Sequence, residues 1–529
     1  MSKGQVVSGM TILGIEFGST RIKSVLIDNE HNVIASGSHD WENDYQNGIW
    51  TYSGEAIITG LQKSYESLKK DVMDRYGVPL KKIAGLGISA MMHGYLPFDG
   101  GMNLLVPFRT WRNTITGEAS EALTKLFSFN MPQRWSLSHL YQAILNGEEH
   151  VPQIRYLTTL AGWIHYLLTG RKVLGVGDAS GMMPIDPETC DFDASMVSAF
   201  DKLVADRRYP WKLREILPQV LSAGENAGTL TPEGAALLDP SLELEPGCPL
   251  CPPEGDAGTG MAATNSVRER TGNVSAGTSI FSMIVLEKPM SRVYPEIDIV
   301  TTPSGKPVGM VHCNSCTSDI NAWVNLFLEF SEMLGVRPDT GDVFTGLFRK
   351  SLEADRDCGG LVNFNYLAGE PVTGLSEGRP MFLRLPDAKM NLANFMRAQI
   401  YSSLETLAYG MDIMNREHVA IDRVYGHGGL FKTEGVAQNY LAAAIHAPVT
   451  VMETAGEGGA WGIALLADYM LFRSADETLE DYLQERVFKE MKRITVHPDI
   501  KDEAGFQHYM TRFEKCLPAQ KAATECLKA

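Results

Sequence analysis

Residues 252–280 read PPEGDAGTGMAATNSVRERTGNVSAGTSI, and this stretch decides the fold. Asp256 follows Gly255 directly, and no other charge stands from Ala257 to Val267. A carboxylate held among small residues can approach a substrate hydroxyl closely. Further on comes a second glycine turn, Gly277-Thr278-Ser279, followed by an apolar run. Such a turn between two strands presents backbone N–H groups and hydroxyls to a phosphate. An acid and a phosphate cradle together point to phosphoryl transfer to an alcohol. A lone Gly-Asp pair is more often an ordinary surface turn, so the reading depends on a partner loop elsewhere.

That partner lies near the start of the chain. Residues 10–28, MTILGIEFGSTRIKSVLID, alternate as two strands around Phe17-Gly18-Ser19-Thr20. Gly18 permits an unusual backbone angle and close approach of a phosphate. Ser19, Thr20 and Lys23 can donate to it, and Glu16 at the strand end is placed to hold Mg²⁺ directly or through water. Residues 271–286, TGNVSAGTSIFSMIVL, repeat the same plan half a chain later. Two similar hairpins predict a duplicated fold with a nucleotide between the halves.

Composition narrows the partners. A chain of 529 residues should form two or more domains. Hydrophobic residues at 44% and charged residues at 21% are globular values. A net charge of −17 argues against nucleic acid or an anionic membrane surface. No run long enough to span a membrane is present, and MSKGQVVSGM lacks the apolar core of a signal peptide, so a cytoplasmic location is expected. Eight scattered cysteines fit reduced thiols. The CxxC pairs Cys248/Cys251 and Cys313/Cys316 read as buried thiols more readily than as zinc ligands.

Along the chain, helices are expected over 53–76, 120–126, 138–146, 154–168, 231–238, 319–334, 391–415, 434–445, 478–492 and 504–517. In the helix over 319–334, Ile320, Trp323, Val324, Phe327 and Phe330 are expected to face inward. The strand over 83–88 ends in Met92-His93-Gly94, where open α/β sheets bind ligands. Met92 and His93 are therefore candidates for a polar substrate, and Trp111 and Arg112 supply an aromatic wall and donors of the kind a sugar pocket needs. His427-Gly428-Gly429 and residues 456–459 are glycine turns at strand ends, each before a helix, against which an adenine ring can lie.

On these motifs the chain resembles the FGGY carbohydrate kinases, and among them the xylulokinases, from residue 11 to about 520. The resemblance is carried by GIEFGSTRIKSVLID, Met92-His93-Gly94, Leu168-Thr169-Gly170, Asp178-Ala179-Ser180-Gly181, Gly255-Asp256, Gly277-Thr278-Ser279, residues 366–371 and the two late glycine turns. It implies an α/β, actin/hexokinase-like (ribonuclease H-like) duplicated fold with ATP and Mg²⁺ in a cleft between two domains. The expected segments are 11–265, 266–475 and a helical extension over 476–529. The resemblance implies phosphorylation of a terminal hydroxyl of a ketose or polyol, with Asp256 as catalytic base. Gly18, Ser19, Thr20, Lys23, Gly277, Thr278, Ser279, Gly428 and Gly429 would hold ATP, and Met92, His93, Trp111, Arg112 and Asp256 the sugar.

Two departures stand out. The first-strand acid, commonly Asp in the family, is Glu16, and the residue after the base, commonly Asn in xylulokinases, is Ala257. D-xylulose is the first choice of acceptor, with L-ribulose or another ketose or polyol left open. A different class, an actin-like ATP switch binding protein partners, also stays open at this point. For a sugar kinase a small-molecule sugar is the expected partner, and a homodimer is possible.

Overall fold

A computed structural model describes residues 2–453 and 458–528. The chain divides into two compact units. The first comprises Met1–Val267, Asp298–Val308 and Glu457–Glu490, the second Arg268–Ile297, Gly309–Gly456 and Met491–Ala529.

The first unit is built on a five-stranded sheet in the order Glu254–Gly255, Gly85–Ala90, Ile12–Phe17, Arg21–Ile27, Val33–Asp40. Ile12–Phe17 pairs antiparallel with Arg21–Ile27 and parallel with Gly85–Ala90. The helix Gly54–Tyr76 starts where the Ser53 side chain accepts the Ala56 N–H, and stops at left-handed Gly77. Its buried stripe, Ile57, Leu61, Tyr65, Leu68 and Val72, has the spacing read from sequence and closes one side of the core.

A second helix, Gly458–Phe472, reaches the sheet through glycine. Gly14 and Gly87 are paired in register. A side chain on Gly14 would collide with the Ala460 carbonyl, and one on Gly87 would meet the Ile463 carbonyl at 2.7 Å. The glycines cut the groove that lets the helix lie against the backbone of the strands.

The second unit repeats the plan. Thr271–Ala276 pairs antiparallel with Ile280–Val285 and parallel with Arg423–His427, and the sheet continues through Val449–Met452 to Arg493–Val496. The buried helix Leu392–Arg416, capped by Asn391, forms much of the core beneath it. Duplication is thus visible in the pairing, since each hairpin has a later parallel strand beside its first arm.

Several expectations are corrected. The units do not follow the expected segments in chain order, because Gly458–Phe472 packs on the first unit's sheet and on the helix Asp256–Ala263. The region over 476–529 is no separate extension. Arg493–Val496 is a strand paired with Val449–Met452, and Ile500–Cys526 buries Phe506, Tyr509 and Phe513 in the second unit. Of the helix expected over 478–492, only 479–487 is helical, an α-helical turn Leu479–Tyr482 continued by a π-helical turn Leu483–Val487. The helix expected over 154–168 begins only at Leu160, because Tyr156–Thr158 pairs with Leu96–Phe98. Phe330 points outward and is exposed. Gly18 does not adopt a positive φ, and its lack of a side chain matters instead because the Arg21 carbonyl stands 3.0 Å from where a Cβ would lie.

Candidate active site

Asp256 is the first residue of the helix Asp256–Ala263, immediately after the short strand Glu254–Gly255. One carboxylate oxygen accepts the Met92 N–H at 3.1 Å and its own neighbour's, Ala257, at 3.0 Å. The side chain is solvent-exposed and so open to a substrate. Surrounding protein nevertheless removes water from around it and raises its pKa, while the two N–H bonds and the charge of Arg134 act in the opposite direction. Arg134 is held in an ion pair with Asp298, which also accepts Asn130 Nδ2 at 2.9 Å.

Beneath Asp256 lies a buried acid pair. Glu254 accepts the backbone N–H groups of Gly177 and Asp178 at 3.1 and 2.8 Å. Asp178 accepts the Thr159 hydroxyl at 2.6 Å, and its other oxygen has no partner among the described residues. Burial first, and mutual or neighbouring acid charge next, raise both carboxyls to about 8. Gly255 has to be glycine, since a Cβ there would strike Met92 and stand 3.1 Å from the Asp178 carboxylate.

Glu16 is also drawn into this acid group. Its pKa is raised to about 7 by burial and then by the charge of Asp256, against the pull of the Ala460 N–H at 3.1 Å and of Lys23, its register partner. Gly459 leaves it room, because a Cβ there would collide with Glu16 Oε1. The charge of Asp256 disfavours that of Glu16, and a divalent cation near Glu16 would relieve it. Among the described residues no group of three or more His, Cys, Asp or Glu side chains gathers to hold a metal, so the protein would supply Mg²⁺ with few ligands and leave the rest of its shell to phosphate and water.

The other expected residues fall into smaller groups. His93, at φ +70°, is buried, bonds the Gly181 carbonyl through Nδ1 at 3.1 Å and stacks on Trp135, one residue beyond the N–H that holds Asp256. Trp111 joins the first turn, donating to Ser19 Oγ at 3.2 Å. Trp41 Nε1 donates to the Gly18 carbonyl at 2.7 Å, and the Tyr52 hydroxyl to the Ser19 carbonyl at 2.6 Å, so three aromatic side chains brace that turn. Arg112 is occupied by Asn43 at 2.9 Å and by the Trp50 ring at 3.9 Å. Trp111 and Arg112 are thus fixed in place by residues of the first turn and the loop around Trp50.

In the second unit, Gly277 N–H donates to the Ser279 carbonyl, closing the turn at 2.9 Å. Thr278 is exposed, and a Cβ on Gly277 would meet nothing within 4 Å. Gly428, at φ +103°, lies against this turn, since a side chain there would run into Ala276. Gly429 is exposed with open space where a Cβ would stand. The second turn and the Gly428-Gly429 pair therefore share the carboxyl end of two parallel strands, the edge at which such sheets bind ligands. His427 beside them is held neutral, its pKa lowered to about 4 by burial. Of the turn expected over 456–459, residues 456 and 457 lie outside the described residues, while Gly458 and Gly459 open the helix Gly458–Phe472.

Sequence reasoning missed Arg134, Thr159 and Glu254 as parts of the site. Asp178 was visible only as part of a motif, and nothing in the spacing of Arg134 or Asp298 brings the two together.

Two α/β units of mixed sheet, each opening on an antiparallel hairpin with a later parallel strand, define the two-domain, actin/hexokinase-like class of sugar kinases. The N-terminal domain of the FGGY family of carbohydrate kinases matches residues 11–242, and the C-terminal domain matches residues 272–471. A xylulose kinase from Haemophilus influenzae is 22% identical over 516 residues, 95% of this chain and 98% of its own. A ligand-bound xylulose kinase from Lactobacillus acidophilus superposes with a TM-score of 0.78 at 17% identity, covering 97% of this chain and 99% of its own. Plasmodium falciparum glycerol kinase with ADP gives 0.74 at 15% identity, covering 96% and 98%. The chain belongs to the FGGY family of carbohydrate kinases, ATP-dependent sugar phosphotransferases. At these identities the structural likeness is one of fold and leaves the acceptor open.

Proposed function

We propose that this kinase phosphorylates the terminal hydroxyl of a ketopentose, D-xylulose first and L-ribulose as its competitor, with Asp256 as the base. The observation that carries the reading is the setting of Asp256, an exposed carboxylate fixed by two backbone N–H groups above a buried acid pair. Asp256 accepts the proton of the sugar hydroxyl as that oxygen attacks the γ-phosphorus and ADP leaves. Met92, whose N–H holds Asp256, and its neighbour His93 line the sugar side. Gly18, Ser19, Thr20 and Lys23 in one unit, and Gly277, Thr278 and Ser279 in the other, are the phosphate-holding groups, with Gly428 and Gly429 beside adenosine. Glu16 is the residue that would hold Mg²⁺, and the bound ion supplies neutralisation of phosphate charge. The relatives named for xylulose and the solved kinase with ADP support this reading.

The L-ribulose alternative rests on Ala257, which cannot offer the side-chain amide that xylulokinases commonly carry there. The test is ADP release with D-xylulose, L-ribulose, glycerol and gluconate, on wild type and Asp256→Asn. The variant should fold and bind ADP but lose about 10²–10⁴ in kcat. ATP hydrolysis indifferent to every sugar would overturn the reading, as would an Asp256→Asn enzyme within a few-fold of wild type.

A further inference from the structure

Residues 313–317 run directly behind the second phosphate turn. The Cys316 N–H donates to the Thr278 carbonyl at 2.9 Å, and the Thr317 N–H to the Gly277 carbonyl at 3.1 Å, with the Thr317 hydroxyl adding a bond of 2.7 Å. Two residues upstream, the Asn314 and Ser315 N–H groups donate to the two carboxylate oxygens of Glu370 at 3.0 and 2.7 Å. Asn314 Nδ2 donates to the Gly369 carbonyl at 2.7 Å, tying the same two loops together again. The backbone of Glu370 is itself pinned, its carbonyl accepting the N–H groups of Thr373 and Leu375 at 3.0 and 3.2 Å.

Glu370 is 0% exposed, and burial raises its pKa to about 7 against the pull of these two N–H donors and of the Ser315 side chain. A buried carboxylate without a cation is an expensive way to fill space, and an apolar or amide side chain would fill it at less cost. Here the two N–H groups meet different oxygens of the side chain, so an amide would turn its NH₂ group against one of them and an apolar side chain would accept neither. The arrangement also leaves the turn's outer side free. With the Gly277 and Thr278 carbonyls drawn back onto residues 316–317, Thr278 is exposed and space is open beside Gly277. The first unit uses the same device, Glu254 taking two successive N–H groups one strand residue before Gly255-Asp256.

We propose that Glu370 is a positioning residue for nucleotide binding, its carboxylate fixing residues 314–317 and through them the Gly277-Thr278-Ser279 turn. This rests on the reading of that turn as a phosphate loop.

The test measures Kd for ADP with Mg²⁺ by calorimetry and KM for the best sugar of the panel, on Glu370→Gln, Asn314→Ala and Gly277→Val. Gly277→Val adds a side chain in open space and tests the turn itself. Glu370→Gln should weaken ADP about tenfold and leave the sugar KM within about twofold, because one N–H loses its acceptor behind the turn. Asn314→Ala, at an exposed position, should weaken ADP about threefold and carries the test if Glu370→Gln fails to fold. Weak ADP binding in Gly277→Val with normal binding in the folded Glu370 and Asn314 variants overturns the positioning role alone. Normal binding in Gly277→Val overturns the reading of the turn, and the positioning role with it. Parallel losses for ADP and sugar in the Glu370 variant would show a general structural role and overturn the proposal as well.

Discussion

Ala257 is the second residue of the helix that Asp256 opens, and it is partly exposed beside the base. Two neighbours could have replaced a missing amide there, and both are committed. The Thr259 hydroxyl is buried against Ser89 at 3.0 Å and the Gly255 and Asp256 carbonyls, and the Asn265 amide donates to Gln484 at 2.9 Å. The wild type should therefore turn over both D-xylulose and L-ribulose. Ala257→Asn should raise the ratio of kcat/KM for D-xylulose over L-ribulose by about tenfold, as one restored hydrogen bond to a bound hydroxyl warrants. An unchanged ratio would mean that position 257 does not face the sugar. The adenosine side offers a similar contrast. A side chain at Gly428 collides with Ala276 and is strained by φ +103°, so Gly428→Val damages the fold before any ligand is met. Gly429→Val has room and no such strain, and should weaken ADP at least about tenfold with little change in Tm. Equal ADP binding would move adenosine away from Gly429. That Asp256 follows a strand end and that Gly277 and Gly428 sit in turns was legible, because glycine and an isolated acid leave marks in a sequence. Arg134 and Glu254 were not, since their meaning lies in partners far along the chain.

At the scale of elements, glycine lets Gly458–Phe472 lie directly on the backbone of Asp256–Ala263 and beside Ile12–Phe17. Gly462 lies on the backbone of Thr259, and Gly459 on Glu16 and Thr259. In an isolated helix Gly462→Ala would gain about 1 kcal/mol of propensity. Here the added methyl would overlap the Thr259 carbonyl, and overpacking against backbone costs about 1–3 kcal/mol or more, so a net fall in Tm is expected. Gly459→Ala should instead show itself in function. It displaces the Glu16 carboxylate, so the Mg²⁺ concentration needed for half-maximal activity should rise several-fold, which a metal titration reads directly. Helices with caps and a clean apolar stripe, such as Gly54–Tyr76, were legible to within a residue. Tyr156–Thr158 and Arg493–Val496 were not, because short strands take their hydrogen bonds from partners that local periodicity does not reveal.

At the scale of the molecule, the first unit carries a store of buried acid whose protonation is linked to folding. Asp178 and Glu254 are raised to about 8 in the fold, well above their ordinary values near 4. The folded state therefore holds protons that the unfolded chain has released across that interval. The stability they contribute is present in full below the ordinary values and is lost as pH rises through about 8. Tm should fall between about pH 6 and about pH 9, and the fall should be shallower in Asp178→Asn. An identical slope would show that Asp178 does not titrate there. With Asp256 as the proposed base, activity has the opposite requirement, since that carboxyl would have to be ionised, and the rising limb of the pH profile should lie above the usual carboxylate range. The duplicated plan, the two turns and the family were determined by the sequence alone, because each rests on local signals of glycine placement, strand alternation and an isolated acid. Tertiary structure alone decided that a helix late in the chain completes the first unit and that Trp111 braces the first turn. It also decided that buried glutamates hold the loops behind the base and the second turn. These depend on hydrogen bonds and close contacts between residues tens to hundreds of positions apart, and no local pattern encodes them.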